Sequence, residues 1–149
     1  GELVGAFQSN QALQATTLVG REVLTPSNTF PLKAGEPVHG ALEAPTSLGD
    51  VRVTITEPDG NHVRTLTLGS VGSGRTPFQW DGIDGQGVPV APGNYTLTAT
   101  GESGSGRVAI ETLVQARVES VSLNRGANGA TLQVDGVGSV NMDAVRDLL

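Results

Sequence analysis

Apolar and polar residues alternate most cleanly along residues 51–56, where Val51, Val53 and Ile55 are interleaved with Arg52, Thr54 and Thr56. That period of two puts one set of side chains on each face of a β-strand. Glu57-Pro58-Asp59-Gly60-Asn61 follows as a turn, and residues 63–68 return as a second strand, which predicts a hairpin. The same alternation recurs where Tyr95, Leu97 and Ala99 are separated by Thr96, Thr98 and Thr100. Val38 and Leu42 mark a strand between Gly35 and Pro45, and residues 107–114 mark another after the Gly/Ser turn at 101–106. Residues 69–76 read as a flexible loop, and residues 27–33 as a connector. Strands that recur between Gly and Pro turns, without helical periodicity, indicate an antiparallel sandwich; residues 33–114 would supply about seven strands, enough for one immunoglobulin- or fibronectin-like unit.

The flanks read differently. Residues 2–15 carry Leu3, Val4, Phe7 and Leu13 at spacings near three and four, which predicts an N-terminal helix over 1–16 with a thin apolar stripe. A helix this short is marginal alone, so it is expected to pack against a neighbouring element or another copy. Residues 16–25 form a strand, or a pair bent at Gly20, that Pro26 ends. At the other end, residues 117–123 form a strand, Asn128-Gly129 gives a type I′ hairpin signal, and residues 130–134 return. Asp135-Gly136 turns into residues 137–140, and Asn141 is placed to cap a short helical turn carrying Met142, Val145 and Leu148. These short strands cannot close a barrel alone, and the strand before Pro26 has no local partner. A small barrel interrupted by the sandwich would use both.

Composition narrows the chemistry. Only 37% of the 149 residues are hydrophobic, and no apolar run is long enough to span a bilayer, so membrane insertion is not expected. Nine Lys and Arg against 15 Asp and Glu give a formal net charge of −6, with no basic stripe, which argues against nucleic acid as a partner. The absence of cysteine removes disulfides, thiolate chemistry and thiolate-ligated zinc. The opening Gly1-Glu2-Leu3-Val4 has neither a basic nor an apolar leader region, so no cleavable signal is expected.

Residues 78–95 stand out. They hold the single Trp and the single Tyr of the chain, Trp80 and Tyr95, on either side of a segment rich in Asp, Gly and Pro. Glycine permits positive φ, proline presets φ, and Asp bonds to nearby amides, so the chain can reverse here without a helix. Both rings are then free to turn inward, each burying roughly 150–250 Å². Phe78, Trp80, Asp81, Gly82, Gly87, Gly93 and Tyr95 are the candidate structural core motif.

No pattern points to catalysis, a metal or a cofactor. His39 and His62 lie on separate strands and lack the spacing of a metal pair. Asp81 and Asp84 do not have the spacing of a calcium loop, so an Asx-rich turn is favoured. Ser70, Ser73, Ser103 and Ser105 lie among glycines outside any nucleophile elbow, and neither Gly-Ser-Gly run continues into a phosphate loop. Asn94-Tyr95-Thr96 matches a glycosylation sequon by chance, and no two carboxylates are singled out as a glycosidase pair.

The run Phe78-Gln79-Trp80-Asp81-Gly82 through Gly87, Pro89 and Pro92-Gly93-Asn94-Tyr95-Thr96 resembles the F-x-W-D-G-x-D-x-x-G-x-x-x-x-x-G-x-Y-T stretch of the hook-capping, or hook-assembly scaffold, family of the bacterial flagellum. Three further stretches resemble that family in the same order: Gln11-Ala12-Leu13-Gln14-Ala15 running into Leu18-Val19-Gly20-Arg21-Glu22-Val23, then Arg117-Val118-Glu119-Ser120-Val121, then the segment from Asn128-Gly129 to Met142.

The resemblance implies an all-β architecture: a fibronectin-III/Ig-like sandwich (33–114) inserted into a small Tudor-like barrel (17–32 plus 115–149), with the family's N-terminal region lying before the helix at Glu2. It also implies a non-catalytic scaffold without cofactors. Such a scaffold is exported through the flagellar type III pathway, self-associates as a pentameric cap at the distal hook tip, and holds incoming hook protein. A competing expectation is a carbohydrate- or surface-binding sandwich module of an exported protein. Such a module would display exposed aromatics, which this chain could provide only by giving up its core rings.

Overall fold

A computed structural model describes residues 18–123 and 130–148 of the chain. The expected N-terminal helix and the Asn128-Gly129 turn lie outside the described residues. Among the described residues the regular elements are β-strands, apart from one 3-10 turn. The chain falls into two compact units: Pro26–Val114, and the described parts of Gly1–Thr25 with Gln115–Leu149.

The strands, in chain order, are β1 (Glu22–Pro26), β2 (Thr29–Leu32), β3 (Val38–Ala44), β4 (Leu48–Thr56), β5 (His62–Val71), β6 (Gly74–Trp80), β7 (Gly93–Ser103), β8 (Gly106–Leu123), β9 (Ala130–Val134), β10 (Gly138–Asn141) and β11 (Asp147–Leu148). In the unit Pro26–Val114, β4 lies between β5 and β7, and β2 joins the far side of β7. β3 pairs with β6. β8 serves both groups, pairing with β7 up to Ile110 and with β3 from Glu111. All these pairings are antiparallel, and the inward rows Val51, Val53, Ile55 and Tyr95, Leu97, Ala99 are buried as the alternation requires.

Two glycines fix how closely the strands approach. A Cβ on Gly40 would lie 2.6 Å from Phe78 Cζ and 2.7 Å from the Leu113 carbonyl oxygen. One on Gly101 would lie 3.0 Å from Val51 Cγ2 and 3.1 Å from Leu48 Cβ. Only hydrogen fits at the first position without displacing backbone.

Several segments differ from the expectation. Residues 69–76 are not a flexible loop: β5 runs to Val71 and β6 begins at Gly74, with Gly69 and Gly74 at φ 72° and 105° providing the reversal. Residues 27–33 are not a bare connector. They contain β2, which pairs with β7 in the sandwich unit rather than belonging to the small barrel, and which buries Phe30 completely. Pro31 is tolerated because, among the described residues, β2 has only β7 as a strand neighbour. Residues 107–114 and 117–123 are not separate strands but one continuous β8.

In the second unit, β9 pairs with β8 and β10, and β1 pairs with β8 and β11. Val23, Val118, Leu132, Val134 and Val140 are buried there. Among the described residues β10 and β11 each have a single strand neighbour, so the sheet stays open. The expected capped helical turn is a 3-10 turn at Met142–Ala144, in which Asn141 makes no side-chain cap bond. Arg146 donates its N–H to the Leu24 carbonyl at 2.8 Å, and this draws the chain into β11, so Leu148 sits in a strand beside β1. Thr25 in β1 is fully buried, and among the described residues its hydroxyl has no hydrogen-bond partner.

Candidate functional site

The segment between β6 and β7 is built from its two aromatic ends. Phe78 and Trp80 alternate with outward residues along β6, so both turn inward, and Tyr95 does the same on β7. Trp80 is 1% exposed and Tyr95 6%. The Trp80 ring meets Phe30 edge-on at 5.8 Å between centroids and Tyr95 at 5.5 Å, while Phe30 and Tyr95 stack at 6.1 Å. These are the edge-to-face and offset arrangements that the ring quadrupole favours. Phe30, which no motif marked, completes the cluster. Its only signal was an aromatic between Thr29 and Pro31.

The excursion is held by bonds from its own polar groups and from Arg64. Trp80 Nε1 donates to the Ile83 carbonyl at 2.9 Å, and Arg64 Nη1 donates to the same oxygen at 2.9 Å. Asp81 accepts from the Ile83 amide at 3.1 Å and lies 3.6 Å from the Arg64 guanidinium. Asp84 accepts from the amides of Gln86 and Val88, both at 2.9 Å, and its own amide donates to the Val88 carbonyl at 2.9 Å. The Gly85 amide reaches across to the Val63 carbonyl of β5 at 3.1 Å. Gly82 and Gly87 adopt φ of 81° and 85°, and a Cβ on Gly82 would also press on Leu32. Gly93, at φ 153°, opens β7.

The Tyr95 hydroxyl donates to the Ala91 carbonyl, four residues upstream. This closes the excursion the way a tyrosine corner does in immunoglobulin-like sandwiches. Burial pushes the Tyr95 phenol above its ordinary range, and the nearby Glu57 carboxylate adds to that shift.

This arrangement is braced by local hydrogen bonds, and among the described residues its carboxylates form no reactive constellation. Asp81 and Asp84 are occupied by backbone amides, and among the described residues no group of His, Asp and Glu converges as a metal site. His39 and His62 are both exposed, and His62 Nε2 lies 2.8 Å from Thr65 Oγ1. What the excursion presents outward is a tip of fixed backbone with Val88 55% exposed beside exposed Pro89, Ala91 and Pro92. Among the described residues its surroundings include two open depressions, one lined by Arg64, Leu66, Gln79 and Asp81 and another by Glu57, Pro58, Asp59 and residues 92–95.

A family described as the FlgD Ig-like domain matches residues 27–105. The basal-body rod modification protein FlgD of Salmonella typhimurium is 33% identical over the whole of this chain, which spans 66% of that protein's length. Among solved structures, FlgD from Pseudomonas aeruginosa superposes with a TM-score of 0.80 at 27% identity, over 89% of this chain and 98% of that one. FlgD from Xanthomonas campestris gives 0.79 at 31% identity, over 93% and 99%. The Xanthomonas structure is described as giving insights into the hook capping essential for flagellar assembly.

Proposed function

The chain belongs to the FlgD Ig-like domain family, and on that premise we propose that it is part of a structural scaffold that caps the growing flagellar hook and promotes ordered assembly of hook protein. The observation that carries this reading is the likeness to hook-capping relatives along essentially the whole chain, both units included. The site's chemistry agrees with a passive role, since its carboxylates and its indole hold the backbone in place. The carbohydrate-binding alternative loses its platform, because both large polar aromatics are packed against Phe30.

The finer architecture belongs to the same proposal. The open sheet of β10, β9, β8, β1 and β11 is read as the body of a Tudor-like barrel into which the sandwich is inserted. The motif from Phe78 to Tyr95 is read as the structural brace of the sandwich. The complete protein is placed at the distal tip of the hook after export, self-associated as a pentameric cap, acting without a cofactor and without catalysis. Deleting the gene is expected to leave cells without complete hooks, with hook protein released to the medium. Normal hooks in the deletion strain would end the scaffold reading.

A further inference from the structure

β5 is an edge strand with an open stretch of backbone. Its direction can be worked out from the ladder. Leu97 donates its N–H to the Asn28 carbonyl at 2.7 Å, on the side of β7 away from β4. Ile55 lies opposite Leu97, so its own N–H and C=O turn toward β5. There Ile55 faces Arg64 and Val53 faces Leu66. Arg64 and Leu66 are therefore bonded into the sheet, while Thr65 and Thr67 direct their N–H and C=O groups outward, where among the described residues β5 has no second strand neighbour. The opening is bounded at both ends. The Gly85 amide takes the Val63 carbonyl on one side, and on the other the register shifts at Gly69, which adopts φ 72°.

Other edges of this unit are blunted as natural sheets usually are, β2 by Pro31 and β6 by Pro77. Residues 65–68 read Thr-Leu-Thr-Leu, with no proline and no charge. Beside this stretch lies a depression of about 190 Å³ lined by Arg64, Leu66, Gln79 and Asp81. Leu66 is half-buried and shares its face with the fully buried Val53. A strand laid along β5 would exchange hydrogen bonds with Thr65 and Thr67. Its residue opposite Leu66 would point into this depression, with the Arg64–Asp81 pair at the rim.

We propose that this edge of β5 receives an extended segment of an incoming hook subunit by β-augmentation, with an apolar side chain seated over Leu66. This rests on the scaffold reading above, in which hook protein is the partner whose assembly is promoted. Only an extended chain satisfies a row of alternating donors and acceptors, and main-chain pairing with one side-chain pocket holds a segment without demanding a particular sequence. A second copy of this chain is the poorer occupant, because a net charge of −6 on each opposes their approach.

The test uses the full-length protein and purified monomeric hook protein. Hydrogen exchange at the Thr65 and Thr67 amides is expected to be fast in the free protein and to slow when hook protein is added. Thr67→Pro removes an outward N–H without touching the ladder to β4, and is expected to weaken binding about tenfold or more, whereas Thr67→Val, which keeps the N–H, leaves it within about twofold. The urea midpoint of each variant checks folding, and the exchange measurement on the unaltered protein decides the matter should Thr67→Pro not fold. Hook protein that binds without slowing these amides, or that binds Thr67→Pro as well as the parent, overturns the edge assignment and leaves the scaffold reading in place. Slowing that grows with the protein's own concentration, without hook protein, overturns the choice of partner. Absence of binding overturns the proposal, while the deletion phenotype decides the scaffold reading separately.

Discussion

Replacing Gly40 by alanine would put a Cβ 2.6 Å from Phe78 Cζ, 3.0 Å from Phe78 Cε1 and 2.7 Å from the Leu113 carbonyl oxygen. Gly40 sits on β3, between β6 and β8, opposite Phe78 on one side and Val114 on the other. The Phe78 ring could swing away, but the Leu113 oxygen is backbone and can move only by disturbing the pairing of β3 with β8. Stiffening the unfolded chain by a Gly→Ala change stabilises by about 0.4–1 kcal/mol. Overpacking a core costs about 1–3 kcal/mol, so the net effect is a loss of about 1–2 kcal/mol. Gly49, in β4, provides the control, since its Cβ would meet nothing within 4 Å. Gly49→Ala is therefore expected to be neutral or stabilising by the entropic amount. With a urea slope of about 2 kcal/mol/M, the Gly40→Ala midpoint should fall by about 0.5–1 M, while that of Gly49→Ala should not fall. Equal midpoints for the two variants would refute the close-approach argument.

Trp80→Ala empties the centre of the aromatic cluster and breaks the bond to the Ile83 carbonyl, and is expected to cost about 3–5 kcal/mol by urea unfolding followed by circular dichroism. Thr25→Val removes a buried hydroxyl that has no partner among the described residues, and is expected to raise the thermal midpoint, with a gain of up to about 1–3 kcal/mol. Tyr95 titrates above the ordinary tyrosine value because burial, and then Glu57, oppose the phenolate. As pH rises past about 10, the unfolded chain gives up this proton while the folded chain keeps it, so stability should fall from there until the folded group also ionises. Below that window Tyr95 contributes no pH dependence. Absorbance titration of the single tyrosine in the native protein, compared with the urea-unfolded one, checks the direction of the shift.

The strands carrying strict alternation were legible, because a sheet with one wet face and one dry face writes that pattern directly into the sequence. Val51, Val53 and Ile55, and Tyr95, Leu97 and Ala99, are buried where the period of two put them. The motif from Phe78 to Tyr95 was legible because turn chemistry uses few residue types, and its Asp and Gly residues make the local bonds such types make. β2 was missed because it is short and contains Pro31, which reads as a breaker unless the strand is known to be an edge. The reversal after Val71 was hidden by the glycines and serines of residues 69–74, which read as slack when they in fact supply positive φ. The continuity of β8 was concealed because nothing local says that one strand exchanges β7 for β3 at Glu111. Gly40 carried no signal, since its reason is a carbonyl oxygen more than 70 positions away in sequence. At the candidate site, Trp80 and Tyr95 were legible as large side chains bracketing a turn, whereas Phe30 depended on a pairing that only the fold reveals.

Trp80 and Tyr95 lie in the interior of the sandwich unit, and Trp80, the one indole of the chain, reports on that directly. Acrylamide quenching of its fluorescence in the native protein is expected to be slow, to reach the free-tryptophan rate only on unfolding in urea, and to be unaffected by added oligosaccharide. Rapid quenching in the native protein, or a quenching rate that oligosaccharide lowers, would contradict it by putting the ring on the surface as a binding platform.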